Sequence, residues 1–165
     1  METGKFTLIT GASTGLGREL AYECGEQKRD LILTALAGER IVKLGVTLSK
    51  KYGIKVFVFE TNFTRPGAVE KFAAQILENF NIDMLVNNAG VGGTMPFLEA
   101  TPGYIDQIVL LNMRALVLLT RLLLPVLKIQ KSAFILNIAS MASFGPMPYK
   151  TVYPASKAFV YSFSR

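Results

Sequence analysis

Short apolar runs alternate along this chain with longer segments in which apolar positions recur at helical spacing. The runs are rich in Ile, Leu, Val and Phe, and they lack the polar alternation of a half-exposed strand. We therefore predict strands buried on both faces, as in a parallel sheet. The predicted strands are residues 6–10, 31–35, 56–59, 84–86 and 134–138. The predicted helices are residues 16–26, 38–52, 67–79 and 102–128, with a last helix that begins near Tyr153.

Proline and glycine positions agree with these helix boundaries. Pro66 and Pro102 lie where a first helical turn is expected, and there the missing proline N–H costs no hydrogen bond. Gly53 follows the basic pair Lys50 and Lys51, a pattern typical of a helix C-terminus.

The alternation of strands and helices predicts an α/β fold, a doubly wound parallel sheet with helices on both faces. No internal repeat or low-complexity linker interrupts the pattern, so residues 1–165 are expected to form a single domain. In such a sheet a ligand lies beyond the carboxyl ends of the strands, where the winding changes direction. The glycine, amide and hydroxyl residues expected at this edge are residues 11–17, residues 87–90 and Ser140.

Composition narrows the chemistry. The 165 residues include no His and a single cysteine, Cys24, which excludes His-based triads, His-ligated zinc, disulfide frameworks and cysteine-cluster metal sites. We expect no metal site, and acid–base chemistry must use Tyr, Lys, Ser or carboxylates. The 18 Lys and Arg exceed the 12 Asp and Glu, giving a net charge of +6. Because this excess is spread along the chain, it favours a phosphate-bearing ligand and not nucleic acid.

The sequence predicts no membrane anchor. The longest apolar stretch, residues 115–129, contains Arg121, Pro125 and Lys128 and is shorter than the roughly 20 residues that span a bilayer. Residues 1–10 have no basic segment, long apolar run or small-residue cleavage site, so we expect no signal peptide. A cytoplasmic location is therefore expected.

The first predicted strand leads into Gly11, Gly15 and Gly17 and then into a helix. Glycines at this position leave backbone N–H groups unobstructed at a helix N-terminus, which favours a pyrophosphate. The spacing is G-x3-G-x-G, so an ordinary glycine-containing turn is the alternative interpretation.

Four motifs occur in an order and at distances that resemble the short-chain dehydrogenase/reductase family. Residues 10–17, TGASTGLG, resemble the family's cofactor turn, and residues 87–90, NNAG, resemble its strand-four motif. The sequence YPASK from Tyr153 to Lys157 resembles the family's Y-x-x-x-K, and Ser140 precedes the tyrosine by thirteen residues. The resemblance implies an NAD(P)-binding domain of Rossmann type.

The resemblance also implies a function, namely hydride transfer between NAD(P)(H) and a carbonyl or secondary alcohol of an apolar substrate. The residues implied to be catalytic are Asn112, Ser140, Tyr153 and Lys157. The residues expected to bind the cofactor are Gly11, Ser13, Thr14, Gly15, Leu16, Gly17, Leu36, Arg40, Asn62, Phe63, Asn88, Ala89, Gly90, Tyr153 and Lys157.

The chemistry of the tyrosine follows from its neighbours. Residues i and i+4 of a helix share a face, so the Lys157 ammonium can approach the Tyr153 phenol. An unperturbed phenol titrates near pH ~10, and a nearby cation favours its phenolate form. Tyr153 would then act as general acid or base while Ser140 holds the carbonyl oxygen. The alternatives are a solvated Tyr–Lys pair on an exposed helix face, and Ser143 in place of Ser140.

Asn112 interrupts the apolar stripe of the predicted 102–128 helix. A buried amide must be hydrogen-bonded. The resemblance implies that Asn112 holds a water that links Lys157 to solvent, and the alternative is a bond to a neighbouring main-chain carbonyl.

The choice of cofactor depends on the end of the second strand. NAD enzymes usually carry an acid there, but Leu36 takes this place. Asp30 precedes the strand, five residues from Ala35, and at ~3.3 Å per residue it is about 16 Å from the cofactor edge of the sheet. The family's basic NADP signatures are missing at Thr14 and Leu36. The sequence leaves NADP or NAD open, and the absence of a repelling acid, with Arg40 near, favours NADP. The Asn62 amide oxygen is expected to accept from adenine, with a plain Asx turn as the alternative.

Two apolar loops, residues 91–97 and 144–149, follow the motifs. If they line the cleft, the substrate is an apolar ketone or alcohol, and the alternative is that they only pack on each other. Family members continue for some eighty to ninety residues past the lysine, so the last strands and substrate loop are expected to be missing from this chain. Relatives commonly dimerise through the 102–128 helix and the helix that carries Tyr153, so the resemblance implies a homodimer or homotetramer. The alternative function is a non-catalytic dinucleotide-binding module or an inactive fragment of such an enzyme.

Overall fold

The computed structural model describes Glu2 and residues 4–165; Met1 and Thr3, within the segment where no signal peptide is expected, lie outside the described residues. The strands are β1 (Phe6–Thr10), β2 (Asp30–Ala35), β3 (Val56–Glu60), β4 (Ile82–Asn87) and β5 (Phe134–Asn137). The first helices are α1 (Gly15–Glu26), α2 (Glu39–Tyr52) and α3 (Ala68–Asn79). Two further helices are named here the long helix, Pro102–Lys128, and the tyrosine helix, Val152–Phe163. Short 3₁₀ helices lie at Phe97–Glu99 and Met141–Phe144.

The five strands form one parallel sheet in the order β3-β2-β1-β4-β5. From β1 the chain winds outward through β2 and β3, and it then returns to add β4 and β5 on the other side. The direction of winding therefore changes between β1 and β4, which is where a doubly wound sheet opens a ligand crevice. The predicted α/β fold class is confirmed.

Each face of the sheet carries an apolar core. Leu8 of β1 packs on the side of α3 and the long helix with Phe72 and Leu119, whereas Ile9 packs on the side of α1 and α2 with Ile41. Successive side chains of a strand point to opposite faces, so an uninterrupted apolar run fills both layers. The result is a three-layer α/β/α arrangement.

The prediction that all five strands are buried on both faces is wrong for the two edge strands. Residues 56–59 of β3 are only partly buried, and Phe134 in β5 keeps 59% of its surface exposed. An edge strand has a neighbour on one side only, and its apolar composition does not reveal this position.

Helix ends follow the expected signals with one exception. Pro102 occupies the first turn of the long helix after the N-cap Thr101, whose side chain accepts a hydrogen bond from the Tyr104 N–H. Gly53 ends α2 with a left-handed φ of 66°, a conformation that glycine adopts without strain. Pro66 differs: it lies before the N-cap Gly67, so α3 begins later than Pro66 suggested.

The long helix contains a π-helical segment, Val109–Ala115. By length and composition, the long helix is the one helix among the described residues that is apolar enough to cross a membrane. It is longer than residues 115–129, the stretch from which the sequence predicts no membrane anchor. One face of the helix is nevertheless buried against the sheet and α3 through Leu119, Leu123 and Leu127. The core helix of a soluble protein passes the same test of length and composition.

Candidate active site

The glycine turn between β1 and α1 is shaped by close packing on one side and open space on the other. A Cβ added at Gly17 would lie 2.4 Å from the Gly11 carbonyl oxygen and 2.4 Å from Asn88 Nδ2, so this position requires glycine. Gly15 has a φ of +56°, and no atom lies within 4 Å of a Cβ built there. The N-terminus of α1 thus faces open space, as an anion-binding turn requires.

The NNAG segment is fastened to this turn by its own side chain. Asn88 Nδ2 donates to the carbonyl oxygens of Thr10 and Gly11 at 2.9 and 3.0 Å. Thr10 Oγ1 in return accepts from the N–H groups of Asn88 and Ala89 at 3.0 and 2.9 Å and donates to Val86 O. Asn88 is therefore structural through its amide, and Thr10, which the sequence did not single out as a site residue, fixes the edges of β1 and β4.

A cavity of about 390 Å³ opens above this edge of the sheet. Most of the residues predicted to bind a cofactor line it together, although they come from four separate segments. The lining residues among them are Gly11, Ser13, Thr14, Leu16, Leu36, Asn62, Phe63, Asn88, Ala89 and Gly90. The structure adds Gln107 and Leu111 of the long helix to the lining, which no motif indicated.

Arg40 lies apart from that cavity. It lines a neighbouring cavity of about 440 Å³ beside Thr14, Leu36 and the N-terminus of α2. Leu36 is 62% exposed and borders both spaces. This second cavity is where a group on the 2′-oxygen of an adenosine ribose is expected, beyond the end of β2.

The expectation that no acid lies near this loop is wrong. Glu60, at the end of β3, reaches across to Gly38 and accepts from its N–H at 2.9 Å. Asp30, predicted to precede the second strand, is instead the first residue of β2 and accepts from the Lys55 N–H at the opposite end of the sheet. Glu60 was missed because it belongs to another strand and reaches the loop only through the β2–β3 pairing, in which it faces Ala35.

Asn62 makes an Asx turn. Its Oδ1 accepts from Thr64 N at 3.0 Å and from Thr64 Oγ1 at 2.7 Å. The amide oxygen is thus used within the turn, in agreement with the alternative interpretation, and Asn62 also lines the cavity.

Tyr153 and Lys157 lie one turn apart on the tyrosine helix, and Lys157 is not a solvated surface lysine. It is 7% exposed, its Nζ donates to Ile138 O at 2.7 Å, and Nζ lies 5.9 Å from the centroid of the Tyr153 ring. Burial lowers the pKa of the Lys157 ammonium. The exposed-pair alternative is therefore wrong for the lysine, and Ile138 O is an anchor that the motifs did not indicate.

Ser140 ends the segment after β5 and caps the Met141–Phe144 turn by accepting from Ala142 N at 3.1 Å. Ser140 and Tyr153 line one cavity of about 440 Å³, and Tyr153 and Lys157 line another of about 490 Å³. The Ser143 hydroxyl is buried without a hydrogen-bond partner among the described residues, and Ser143 lines neither space. The placement favours Ser140 over Ser143.

Asn112 lies in the π-helical segment and is 2% exposed. Its Oδ1 accepts from Val91 N and its Nδ2 donates to Val91 O, both at 2.8 Å, and Nδ2 also donates to Ser156 Oγ at 3.0 Å. The main-chain alternative is therefore present in the structure. A Cβ added at Gly90 would lie 3.2 Å from Asn112 Oδ1 and 3.5 Å from Lys157 Nζ, so both side chains converge on this glycine.

The two apolar loops line the cavities and also contact each other. Met95 N donates to Tyr149 O at 2.7 Å, which joins the loop after β4 to the loop before the tyrosine helix. A Cβ added at Gly92 would lie 2.9 Å from the Tyr153 ring, so the main chain of the first loop packs directly on the ring and leaves no room for a side chain at Gly92. Both interpretations of the loops thus hold in part.

Comparison with known proteins agrees with this geometry. A family model described as short chain dehydrogenase matches residues 5–165. The chain is 31% identical over 166 residues to the very-long-chain 3-oxoacyl-CoA reductase of Anas platyrhynchos, covering 98% of this chain and 53% of that protein. It is 30% identical over 165 residues to the 17-beta-hydroxysteroid dehydrogenase type 3 of Homo sapiens, with the same coverage of 98% and 53%.

Solved structures give the same result. A short-chain dehydrogenase from Sphingobium yanoikuyae in complex with NADPH superposes with a TM-score of 0.92 and 31% identity, covering 98% of this chain and 63% of that one. The L-sorbose reductase of Gluconobacter frateurii, complexed with NADPH and L-sorbose, gives a TM-score of 0.90 and 28% identity, with coverage of 98% and 62%. The chain spans about half the length of the curated relatives it matches.

Proposed function

The chain belongs to the short chain dehydrogenase family, and from this premise we propose that it transfers hydride between a nicotinamide dinucleotide and a carbonyl or secondary alcohol of an apolar substrate. The observation that carries the proposal is the position of Tyr153. Tyr153 borders two cavities, one shared with Leu16 and Asn88 of the cofactor edge and the other shared with Ser140. We call the place where Tyr153 borders both cavities the Tyr153 junction. A group at this junction can exchange a proton with a substrate oxygen beside the cofactor edge.

The residues at the sheet edge fit a dinucleotide. The open space at Gly15 and the free N-terminus of α1 suit a pyrophosphate, and the cavity between Leu36 and Asn62 suits an adenosine. When bound, the nicotinamide supplies the hydride, which is chemistry that no side chain of this protein can supply. The hydrogen bond from Lys157 Nζ to Ile138 O fixes the ammonium at this edge of the sheet, which supports a role for Lys157 in binding the adjoining ribose.

We propose NADP as the preferred cofactor, with NAD as the second choice. Several structural relatives are complexes with NADPH or NADP, and Arg40 lines the cavity beyond the end of β2. Glu60 acts in the opposite direction because its carboxylate lies at the same loop. The preference is therefore expected to be modest.

The proton step follows from the side chains at the junction. Tyr153 gives its phenolic proton to the carbonyl oxygen in reduction and takes it back in oxidation. The Ser140 hydroxyl oxygen accepts from Ala142 N, so its own proton is free to donate to the substrate oxygen. Lys157 Nζ lies 5.9 Å from the Tyr153 ring centroid, so its positive charge is near the oxygen that gives up the proton.

Location and assembly are further proposals. One face of the long helix is buried as a core helix, which supports an aqueous, cytoplasmic protein without membrane insertion of this element. Val109 and Leu124 on this helix and Tyr161 on the tyrosine helix remain between 37% and 38% exposed. These apolar surfaces support a homodimer or homotetramer.

Replacement of Tyr153 by Phe tests the proposed activity. The variant keeps the ring that packs on Gly92 but loses the proton, so turnover of a panel of apolar ketones should fall by about 10²–10⁴-fold. The dissociation constants for NADPH and NADH, measured by fluorescence titration, should change little. Tyr161→Phe, on the same helix but away from both cavities, is the matched control and should retain full activity.

The outcomes separate the two candidate functions. A Tyr153→Phe variant as active as the wild type refutes the acid–base role. Tight cofactor binding without turnover of any ketone by the wild type favours the non-catalytic binding module instead.

A further inference from the structure

Lys150 is a second cation at the junction where Tyr153 lies, and no motif accounts for it. It lines the cavity that contains Lys157 and also the cavity that contains Ser140, and it is half-buried. Within the part of the chain that the structure describes, Tyr153 is the one other residue that lines both spaces. Lys150 therefore borders the region that an approaching substrate must occupy.

The chain holds Lys150 in place through a constrained backbone. The preceding residue, Tyr149, has a left-handed φ of 56°, which is unfavourable for a residue with a bulky side chain. Its carbonyl oxygen accepts from Met95 N, and Lys150 N donates to Met147 O at 3.2 Å. Such strain is found where the surrounding structure fixes a functional position.

The charges around Lys150 are unbalanced. The residues that line the two cavities include the cations Lys150 and Lys157 and no Asp or Glu. The Lys157 ammonium donates a hydrogen bond to Ile138 O. Lys150 takes part in none of the ion pairs formed among the described residues, Glu2 and 4–165. A cation that has no acidic neighbour attracts an anion.

We propose that Lys150 binds an anionic group of the substrate, so that the natural substrates are apolar carbonyl compounds that carry a carboxylate or a phosphate. This inference rests on the proposed reductase function and narrows its substrate class. Ser140 and Tyr153 hold the carbonyl oxygen, and Lys150, on the rim of both cavities, holds the charged group. Lys150 takes no part in the proton step and acts on specificity.

The test compares three forms of the same ketone. Aryl, medium-chain and long-chain ketones are each supplied as the free acid, as the methyl ester and as the coenzyme A thioester, and kcat/KM is measured for each. Lys150→Met removes the charge and keeps the length of the side chain, and Lys150→Arg keeps the charge. Lys131→Met, an exposed lysine outside both cavities, is the control for a change in net charge.

Lys150→Met should lower kcat/KM for an anionic form by about 10–100-fold, the loss expected for a charge-assisted hydrogen bond. The methyl ester should be unaffected, and Lys150→Arg should retain most of the wild-type value. Loss on the free acid identifies a carboxylate as the bound group, and loss confined to the thioester identifies a phosphate.

Three results would overturn the inference. If Lys150→Met has the same kcat/KM as the wild type for each of the three forms, the inference is refuted and the reductase function stands. A weaker dissociation constant for NADPH in Lys150→Met, without a change in substrate preference, shows that the lysine binds the cofactor phosphates instead. Absence of turnover of every form by the wild type, with cofactor still bound, refutes the reductase function and this inference together.

Discussion

At the scale of single residues, the site consists of side chains whose individual environments are costly. Lys157 is buried at 7% exposure beside a carbonyl oxygen, with no carboxylate among the residues that line its cavity. Gly17 fits only because it has no side chain. The packing around such positions compensates for their cost, and groups in such environments are candidates for a functional site.

The burial of Lys157 predicts a pH dependence of stability. Its pKa is lowered in the folded chain, so between that lowered value and the ordinary value of 10.5 the unfolded chain binds more protons. The free energy of unfolding contributed by this group therefore rises as pH increases through that window, and the destabilising effect is complete below it.

Lys157→Met should remove this effect. Lys157→Met also loses the hydrogen bond to Ile138 O, so the expected signature is the pH dependence: the wild type should gain stability relative to the variant as pH rises toward 10.5. Urea unfolding of both proteins at neutral and alkaline pH measures the difference. A Lys157→Met variant that loses stability equally at both pH values would show that the ammonium is not destabilised by burial.

At the scale of elements, one amide joins three segments. Asn112 in the π-helical part of the long helix bonds both main-chain groups of Val91 and the hydroxyl of Ser156 on the tyrosine helix. Ser156 Oγ in turn donates to Tyr153 O. A π-helical turn is often found at a functional site, and here it contains the side chain that positions the loop and the tyrosine helix.

Asn112→Leu should therefore remove more than one hydrogen bond and lower the free energy of unfolding. The substitution keeps the number and branching of the side-chain heavy atoms but leaves the Val91 N–H and carbonyl without their partner, and an unpaired group shielded from solvent costs about 1–3 kcal/mol. Ser156→Ala, which leaves the Val91 bonds intact, is the matched variant and should cost about 1 kcal/mol or less. Urea unfolding compares them, and equal losses would mean that the clamp on Val91 contributes nothing.

At the scale of the whole molecule, the edge of the sheet formed by β5 is not covered by other described residues. In β5, Phe134, Ile135 and Leu136 are 59%, 37% and 37% exposed, although adjacent residues of a strand point to opposite faces. The strand pairs with β4 alone. An apolar edge strand exposed on both faces is a template for self-association.

Ile135→Lys should reduce this self-association. A charge on the edge strand opposes strand addition, so the mass measured by light scattering should rise less steeply with protein concentration than in the wild type. Leu98→Lys, at a fully exposed residue outside the sheet, is the control and should behave as the wild type does. Identical scattering of Ile135→Lys and the wild type would exclude β5 as the contact.

Much of this protein was determined by local sequence. Among the described residues, apolar runs and helical periodicity located the five strands and the α-helices but not the short 3₁₀ helices at Phe97–Glu99 and Met141–Phe144. Burial on a parallel sheet requires continuous apolar side chains, which is why the strands could be found. The glycine turn, NNAG and the Tyr153–Lys157 pair were found as site candidates because backbone approach, strand ends and helix spacing are properties of short segments. The roles of these residues remain proposals.

Tertiary structure alone decided the rest, because those features depend on which segments meet. Glu60 reaches the loop after β2 only through strand pairing. Lys150 lies beside Tyr153 in a loop that Met95 joins, through its N–H, to the segment after β4. The exposure of β5 follows from its place in the strand order and not from its composition. Contacts between distant segments leave no periodic or spaced pattern in the sequence, so only the assembled sheet shows them.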